Sequence, residues 1–193
     1  MIEFIDKELN KTAALITALL ADRALIAQVI ESAELIVSTL RAGGKVLLAG
    51  NGGSAADAQH IAGEFVSRFH YDRPGLPAIA ITTDTSILTA IGNDYGYDRL
   101  FSRQVQALGN KGDVFVGIST SGNSTNIVEA LKAAKEQGLK TIGFTGNKGG
   151  KMLEMCDIAL RMPSPETPKI QEGHIVIGHI ICGLVEATMF PRE

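Results

Sequence analysis

Four hydroxyl side chains crowd one short stretch, Gly117-Ile-Ser119-Thr120-Ser121-Gly-Asn-Ser124. An apolar run, Asp113 to Ile118, precedes it and reads as a buried strand. Ile127 to Ala134 follows with apolar residues at helical spacing. The hydroxyls therefore sit on a strand-to-helix turn, where backbone N–H groups lack partners and the helix dipole adds positive character. Such a turn cradles an anion, and the hydroxyls complete a site for a phosphate. It lacks the lysine of a Walker A loop. A helix N-cap would explain one hydroxyl; Ser119, Thr120, Ser121 and Ser124 together favour a phosphate cradle.

A second turn, Gly50-Asn51-Gly52-Gly53-Ser54, opens a predicted helix over 55–69. Ala55, Ala58, Ala62, Phe65 and Phe69 form its apolar stripe, while Asp57, His60, Glu64 and Ser67 occupy the other side. His60 and Glu64 are four residues apart, so both side chains can reach one point. That spacing suits two ligands of one metal, or a base and its orienting partner; a solvated polar face is the better account of an isolated pair of this kind, and the start of this helix at the Asn51-Gly-Gly-Ser54 turn brings the two readings level. In the last helix, 169–189, Ile175, Val176, Ile177, Ile180, Ile181, Leu184 and Val185 cover nearly the whole circumference, which predicts burial within the chain or between chains. His179 lies in that belt, as a core histidine or a functional one. Gln171 and His179 stand about 80° apart round an ideal helix and about 12 Å along it, so spacing alone makes His174 the better partner of Gln171. His70 lies in an exposed-looking loop and receives no role.

The elements that must position these residues alternate. Residues 3–20 and 24–41 read as two amphipathic helices, ended by Ala42-Gly43-Gly44. Strands are expected at 45–49, 76–81, 113–118, 140–144 and 157–161. Helical segments are expected at 84–92 and 97–108, separated by Asn93-Asp94-Tyr95-Gly96, and then at 123–137 and 152–155. The βαβ alternation implies an α/β fold with a parallel sheet covered on both faces. Ligands of such sheets bind at the carboxyl ends of strands, where both Gly/Ser-rich turns fall.

Composition narrows the function classes. The 193 residues suit one domain, 1–193, with the helical pair 1–42 available for packing or oligomerisation. Hydrophobic residues make up 45% and charged residues 20%, as in a soluble globular protein. A net charge of −3 provides no basic footprint for nucleic acid, and with no Trp and 5% aromatics no base-stacking platform is expected. Cys156 and Cys182 read as core thiols rather than a disulfide. No signal peptide or spanning segment is visible, which predicts a cytoplasmic protein with no membrane partner.

Gly50-Asn-Gly-Gly-Ser-Ala, Gln59-His60 with Glu64, Ile91-Gly-Asn93-Asp94, Gly117-Ile-Ser-Thr-Ser-Gly-Asn-Ser124 and Ile170-Gln171-Glu-x-His174 occur in this order. In these motifs the chain resembles the sedoheptulose 7-phosphate (phosphoheptose) isomerases of the sugar-isomerase, or SIS, domain superfamily, over essentially its whole length. The resemblance implies a five-stranded parallel sheet in a flavodoxin-like three-layer fold. It implies a homotetramer whose neighbouring subunits line each active site. It also implies conversion of sedoheptulose 7-phosphate to D-glycero-D-manno-heptose 7-phosphate, the first step towards nucleotide-activated heptose for lipopolysaccharide or a related surface glycan. Carried over residue by residue, Ser119, Thr120, Ser121 and Ser124 would hold the phosphate, while Asn51, Gly52, Gly53, Asn93 and Asp94 would contact the sugar. One zinc ion per subunit would be held by His60, Glu64, Gln171 and His179, Gln171 also touching substrate, with Glu64 as base and His179 as acid.

Two relatives within the superfamily compete with this reading. Some members are tetrameric adaptors that bind the bacterial replication initiator; they are expected to lack the carboxylate and the last histidine, and this chain has both Glu64 and His179. Sugar-phosphate-sensing SIS modules usually accompany a DNA-binding segment, and no basic helix-turn-helix is visible here. An isomerase of a different phosphosugar would share the same motifs.

Overall fold

The computed structural model describes residues 1–192. Two helices lead, α1 (Ile2–Ala21) and α2 (Arg23–Arg41), meeting at a 77° bend where Asp22 caps the second through Leu25 N. Then follow β1 (Val46–Gly50), α3 (Gly53–Val66), β2 (Ala78–Ala80), α4 (Thr85–Tyr95), a 3-10 turn (Tyr97–Arg99) and α5 (Ser102–Leu108). β3 (Val114–Ile118), α6 (Thr125–Glu136), β4 (Lys140–Thr145), α7 (Met152–Met155), β5 (Ile158–Arg161) and α8 (Thr167–Met189) complete the order.

The five strands form one parallel sheet in the order β2-β1-β3-β4-β5, as expected of a flavodoxin-like fold. Strands buried on both faces read as unbroken apolar runs, because alternate side chains serve opposite layers. Val46 and Leu48 join the core beneath α1, α2, α3 and α8, while Leu47 and Ala49 join the one beneath α5, α6 and α7. The order in which strands are added reverses between β1 and β3, parallel neighbours whose ends lie side by side with Gly50 opposite Ile118. The crevice of a doubly wound sheet opens at such a switch point, and both Gly/Ser-rich turns leave the sheet there.

Three local expectations change. The run 76–81 contributes only Ala78–Ala80 as strand, because Pro77 has no N–H to donate and the run lies at the sheet edge, beside β1 alone. Asn93 and Asp94 do not separate two helices; they lie in the last turn of α4, which runs until Gly96 (φ +84°) permits the left-handed exit. α3 stops at Val66, so Phe69 leaves the helix instead of extending its stripe. Helix α8 is not among them: within the single chain it leaves Ile180 and Leu184 46% and 37% exposed, on the side that the expected burial between chains would cover.

Candidate active site

The loop after β3 is built as a cradle. Ser119 Oγ lies 2.8 Å from Ser124 Oγ and 3.4 Å from Ser121 Oγ, and Asn123 N donates to Ser121 Oγ at 3.1 Å. The N–H groups of Thr120, Ser121, Ser124, Thr125 and Asn126 donate to no protein acceptor among the described residues. These donors open towards the start of α6, where the helix dipole favours an anion. Gly122 makes the turn at φ +66°, and a Cβ there would overlap the Gly149 carbonyl. The loop is pinned from β4 and α7 by Gly146 N to Thr120 O, Met152 N to Gly122 O and Lys151 N to Asn123 Oδ1.

The turn after β1 is tied to this cradle. Asn51 and Asn126 exchange two amide hydrogen bonds of 2.9 Å, and Tyr97 OH donates to Asn51 Oδ1 at 2.9 Å. Gly52 takes φ +55° to enter α3. A cleft of about 360 Å³ opens beside the turn, walled by Asn51, Gly52, Thr82, Thr89, Gly92 and Tyr97. Thr82, one of these walls, keeps its Oγ1 buried with no partner among the described residues. Sequence reasoning missed Asn126 and Tyr97; the signal available was an amide in the first turn of α6, just past the hydroxyl-rich loop, able to pair with Asn51. Asn93 and Asp94, by contrast, are exposed, bonded to each other at 2.8 Å, and outside the walls of this cleft.

Helices α3 and α8 pack together, and Gly178, beside His179, lets them approach: a Cβ there would come within 2.7 Å of Ile61 Cδ1. This crossing brings His60 Nε2 to 2.8 Å from His179 Nε2 and 3.2 Å from Glu64 Oε1. One ligand atom from each of the three lies within 4.8 Å of the others. Two imidazole nitrogens that face each other must share one proton or one cation. A tetrahedral metal with bonds of about 2.0–2.1 Å holds its ligand atoms about 3.3 Å apart, so the donor set and spacing fit a metal ion. Asp57 lies one turn before His60, and its Oδ2 is buried without a partner among the described residues. Burial raises that carboxyl's pKa against the opposing field of His60.

The other polar residues of α8 separate in role. Gln171 lies eight residues before His179, in the first turns of α8, its amide against Gly53, where a Cβ would collide with Nε2. In a single chain it joins the turn after β1 rather than the His60–Glu64–His179 group. His174 is not its partner either. The His174 ring is fully buried, its Nε2 is 3.1 Å from Thr145 O, and burial lowers its pKa to about 4, so it is a neutral core histidine. Cys156 and Cys182 are free thiols that burial pushes up to about 12, too high for nucleophilic use.

A doubly wound parallel sheet with an anion cradle at its switch point defines a class of sugar-phosphate-binding α/β proteins, and the family model described as SIS domain matches residues 9–146. A phosphoheptose isomerase of Burkholderia pseudomallei is 63% identical over 98% of this chain and 96% of its own length. One from Aneurinibacillus thermoaerophilus is 59% identical over 100% and 98%. The solved structure of phosphoheptose isomerase GmhA from Neisseria gonorrhoeae superposes with a TM-score of 0.90 at 45% identity, covering 96% of this chain and 98% of that one. The chain belongs to the phosphoheptose isomerases of the SIS domain family.

Proposed function

We propose that this chain, as one domain over 1–193, isomerises sedoheptulose 7-phosphate to D-glycero-D-manno-heptose 7-phosphate through an enediol. The observation that carries the reading is the convergence of a carboxylate and an imidazole, Glu64 and His179, on one point through the α3–α8 crossing. A ketose becomes an aldose when a base takes a proton from C1, the carbonyl oxygen O2 is protonated, C2 receives a proton and O1 loses its own. Glu64 serves as the carbon base, and His179 moves the proton between the oxygens. Ser119, Thr120, Ser121 and Ser124, with the free N–H groups of their loop, anchor the phosphate far from the reacting carbons. Asn51, Gly52 and Gly53 line the sugar's path, as do Asn93 and Asp94 once the assembly is formed.

The His60, Glu64 and His179 donors, with Gln171 completing the set across a subunit boundary, are those of one catalytic zinc site per subunit. Bound there, zinc would polarise the carbonyl and hydroxyl oxygens of the substrate. Glu64 lies eleven residues beyond Gly53, about 16 Å along α3 from the rim. That separation supports a homotetramer in which the cradle of one subunit works with the cluster of another. The setting we infer is cytoplasmic, at the head of heptose supply for lipopolysaccharide or a related surface glycan.

Turnover of sedoheptulose 7-phosphate by purified protein, before and after chelation and zinc add-back, tests the reading. Activity lost on chelation and restored by zinc is the expected result. No turnover by a folded, metal-replete tetramer would refute the enzyme and favour an adaptor that binds the replication initiator.

A further inference from the structure

The described residues hold a buried ion pair outside the site, and it grips the site from behind. Arg73, in the loop between α3 and β2, and Glu186, in the last turn of α8, have side chains only 2% and 1% exposed, with Arg73 Nε 3.2 Å from Glu186 Oε1. Neither group spends itself on the other alone. Arg73 Nη2 donates to the carbonyl of Glu64 at 2.8 Å, and Nη1 donates to those of Phe65 at 2.6 Å and Ser67 at 3.3 Å. Glu186 accepts the N–H groups of Phe69 at 2.8 Å and His70 at 2.6 Å. The guanidinium thus satisfies the orphan carbonyls at the end of α3, and the carboxylate folds the following loop onto α8. That loop lays the Phe69 ring 5.5 Å from the His179 ring and 3.3 Å from where a Cβ of Gly183 would be.

We infer that Arg73 and Glu186 are positioning residues, a clamp that holds the backbone of Glu64 and the ring of His179 at the separation the isomerisation needs. The inference rests on the isomerase reading above, because it assigns the clamp's benefit to that site. A fork of five fixed N–H donors suits this task, since one planar group can bind a carboxylate and several carbonyls at once. Lysine, with one point charge, cannot bridge all of them. Loss of the clamp leaves the cradle after β3 untouched, because that loop is pinned by β4 and α7.

The test compares Glu186→Gln and Arg73→Lys with Asp113→Asn, which removes the charge from a second ion pair, buried Asp113 with half-buried Lys45, at the amino end of the strands. Each variant is first matched for fold and subunit assembly by circular dichroism and sedimentation. The clamp predicts that Glu186→Gln and Arg73→Lys lose at least about tenfold in kcat with KM within about twofold of wild type. It predicts that they also retain less zinc than wild type against a fixed chelator, while Asp113→Asn keeps both properties. Equal kcat and equal zinc retention across all four proteins, zero retention included, would overturn it and leave the pair a matter of fold stability. If Arg73→Lys does not fold, Glu186→Gln decides alone. If the wild type itself turns over no sedoheptulose 7-phosphate, the function reading fails, and zinc retention still judges the clamp.

Discussion

Glu64 is asked to do two things that oppose each other. As a metal ligand its charge is drawn towards the cation; as a base it must reach for a proton on carbon. The structure places its carboxylate at the edge of the His60–His179 contact, 3.2 Å from His60 Nε2, partly open to solvent. A side chain at the edge of a cluster can serve as base without leaving it. Glu64→Gln keeps the shape and removes the basicity. It is expected to fold and assemble as wild type and to bind the phosphosugar within a few-fold, since the cradle is intact. A positioned general base contributes about 10²–10⁴-fold, and kcat is expected to fall by that much. Steady-state kinetics check it: a kcat within twofold of wild type would remove Glu64 from the base role. The residues that sequence made legible here are local ones. Four hydroxyls in six positions, or His and Glu four apart on one helix, declare themselves by spacing. The His60–His179 junction spans 119 positions and Arg73–Glu186 spans 113, so only the α3–α8 crossing reveals them.

At the scale of elements, α8 is the part sequence described least well. Its apolar residues suggested burial all round, within the chain or between chains, without saying which side meets what, and in the single chain it divides into three strips. One carries Gly178 and His179 against α3, one carries His174 against β4, and one leaves Ile180 and Leu184 open. The His174 strip has a thermodynamic signature. Its imidazole is buried with Nδ1 unpartnered among the described residues and Nε2 near Thr145 O, in an edge-type contact with the Phe144 ring. Burial favours the neutral form and lowers the pKa from 6.5 to about 4. Between those values the unfolded chain binds a proton that the folded chain refuses, so stability rises with pH there and is lost as pH falls from 6.5 towards 4. At 1.36 kcal/mol per unit, the loss approaches about 3 kcal/mol per subunit. His174→Gln retains a donor for Thr145 O but does not titrate. Urea unfolding from pH 7 to pH 4 is expected to show a shallower decline for the variant than for wild type over that window. Parallel declines would mean that His174 charges freely in the folded chain. The strand assignments fared better than the helix faces because a doubly buried strand needs only a short apolar run, whereas a helix face depends on its neighbours. Asn93 and Asp94 show the converse, since a turn-like quartet stayed helical until Gly96 released it.

The whole molecule presents more apolar surface than one subunit can use. Ile16, Leu19, Leu25, Val29, Val176 and Ile177 line a groove of about 450 Å³ between α1, α2 and α8. At its lip Ile30 and Ile180 remain 47% and 46% exposed. A continuous apolar groove on this scale marks an interaction surface, and the proposed tetramer supplies its occupant as a second copy of the same helices. Burying one such isoleucine contributes about 1.5–3 kcal/mol, and an unpaired charge placed there costs more. Ile30→Glu is therefore expected to yield smaller species in sedimentation velocity at micromolar concentration. Ile30 lies on α2 and belongs neither to the cradle nor to the His60–Glu64–His179 group, so each subunit keeps all its chemical groups. If the cradle of one subunit serves the cluster of another, activity per subunit should fall with dissociation and return as protein concentration drives reassembly. A dissociated variant with full activity would show that each chain holds a complete site, and the roughly 16 Å between the rim and Glu64 would then need closing by motion within one chain. An intact, fully active tetramer would place the assembly surface elsewhere, with the β2 edge and the exposed face of α4 the next candidates, since Ile79 and all of α4 stay at least partly open.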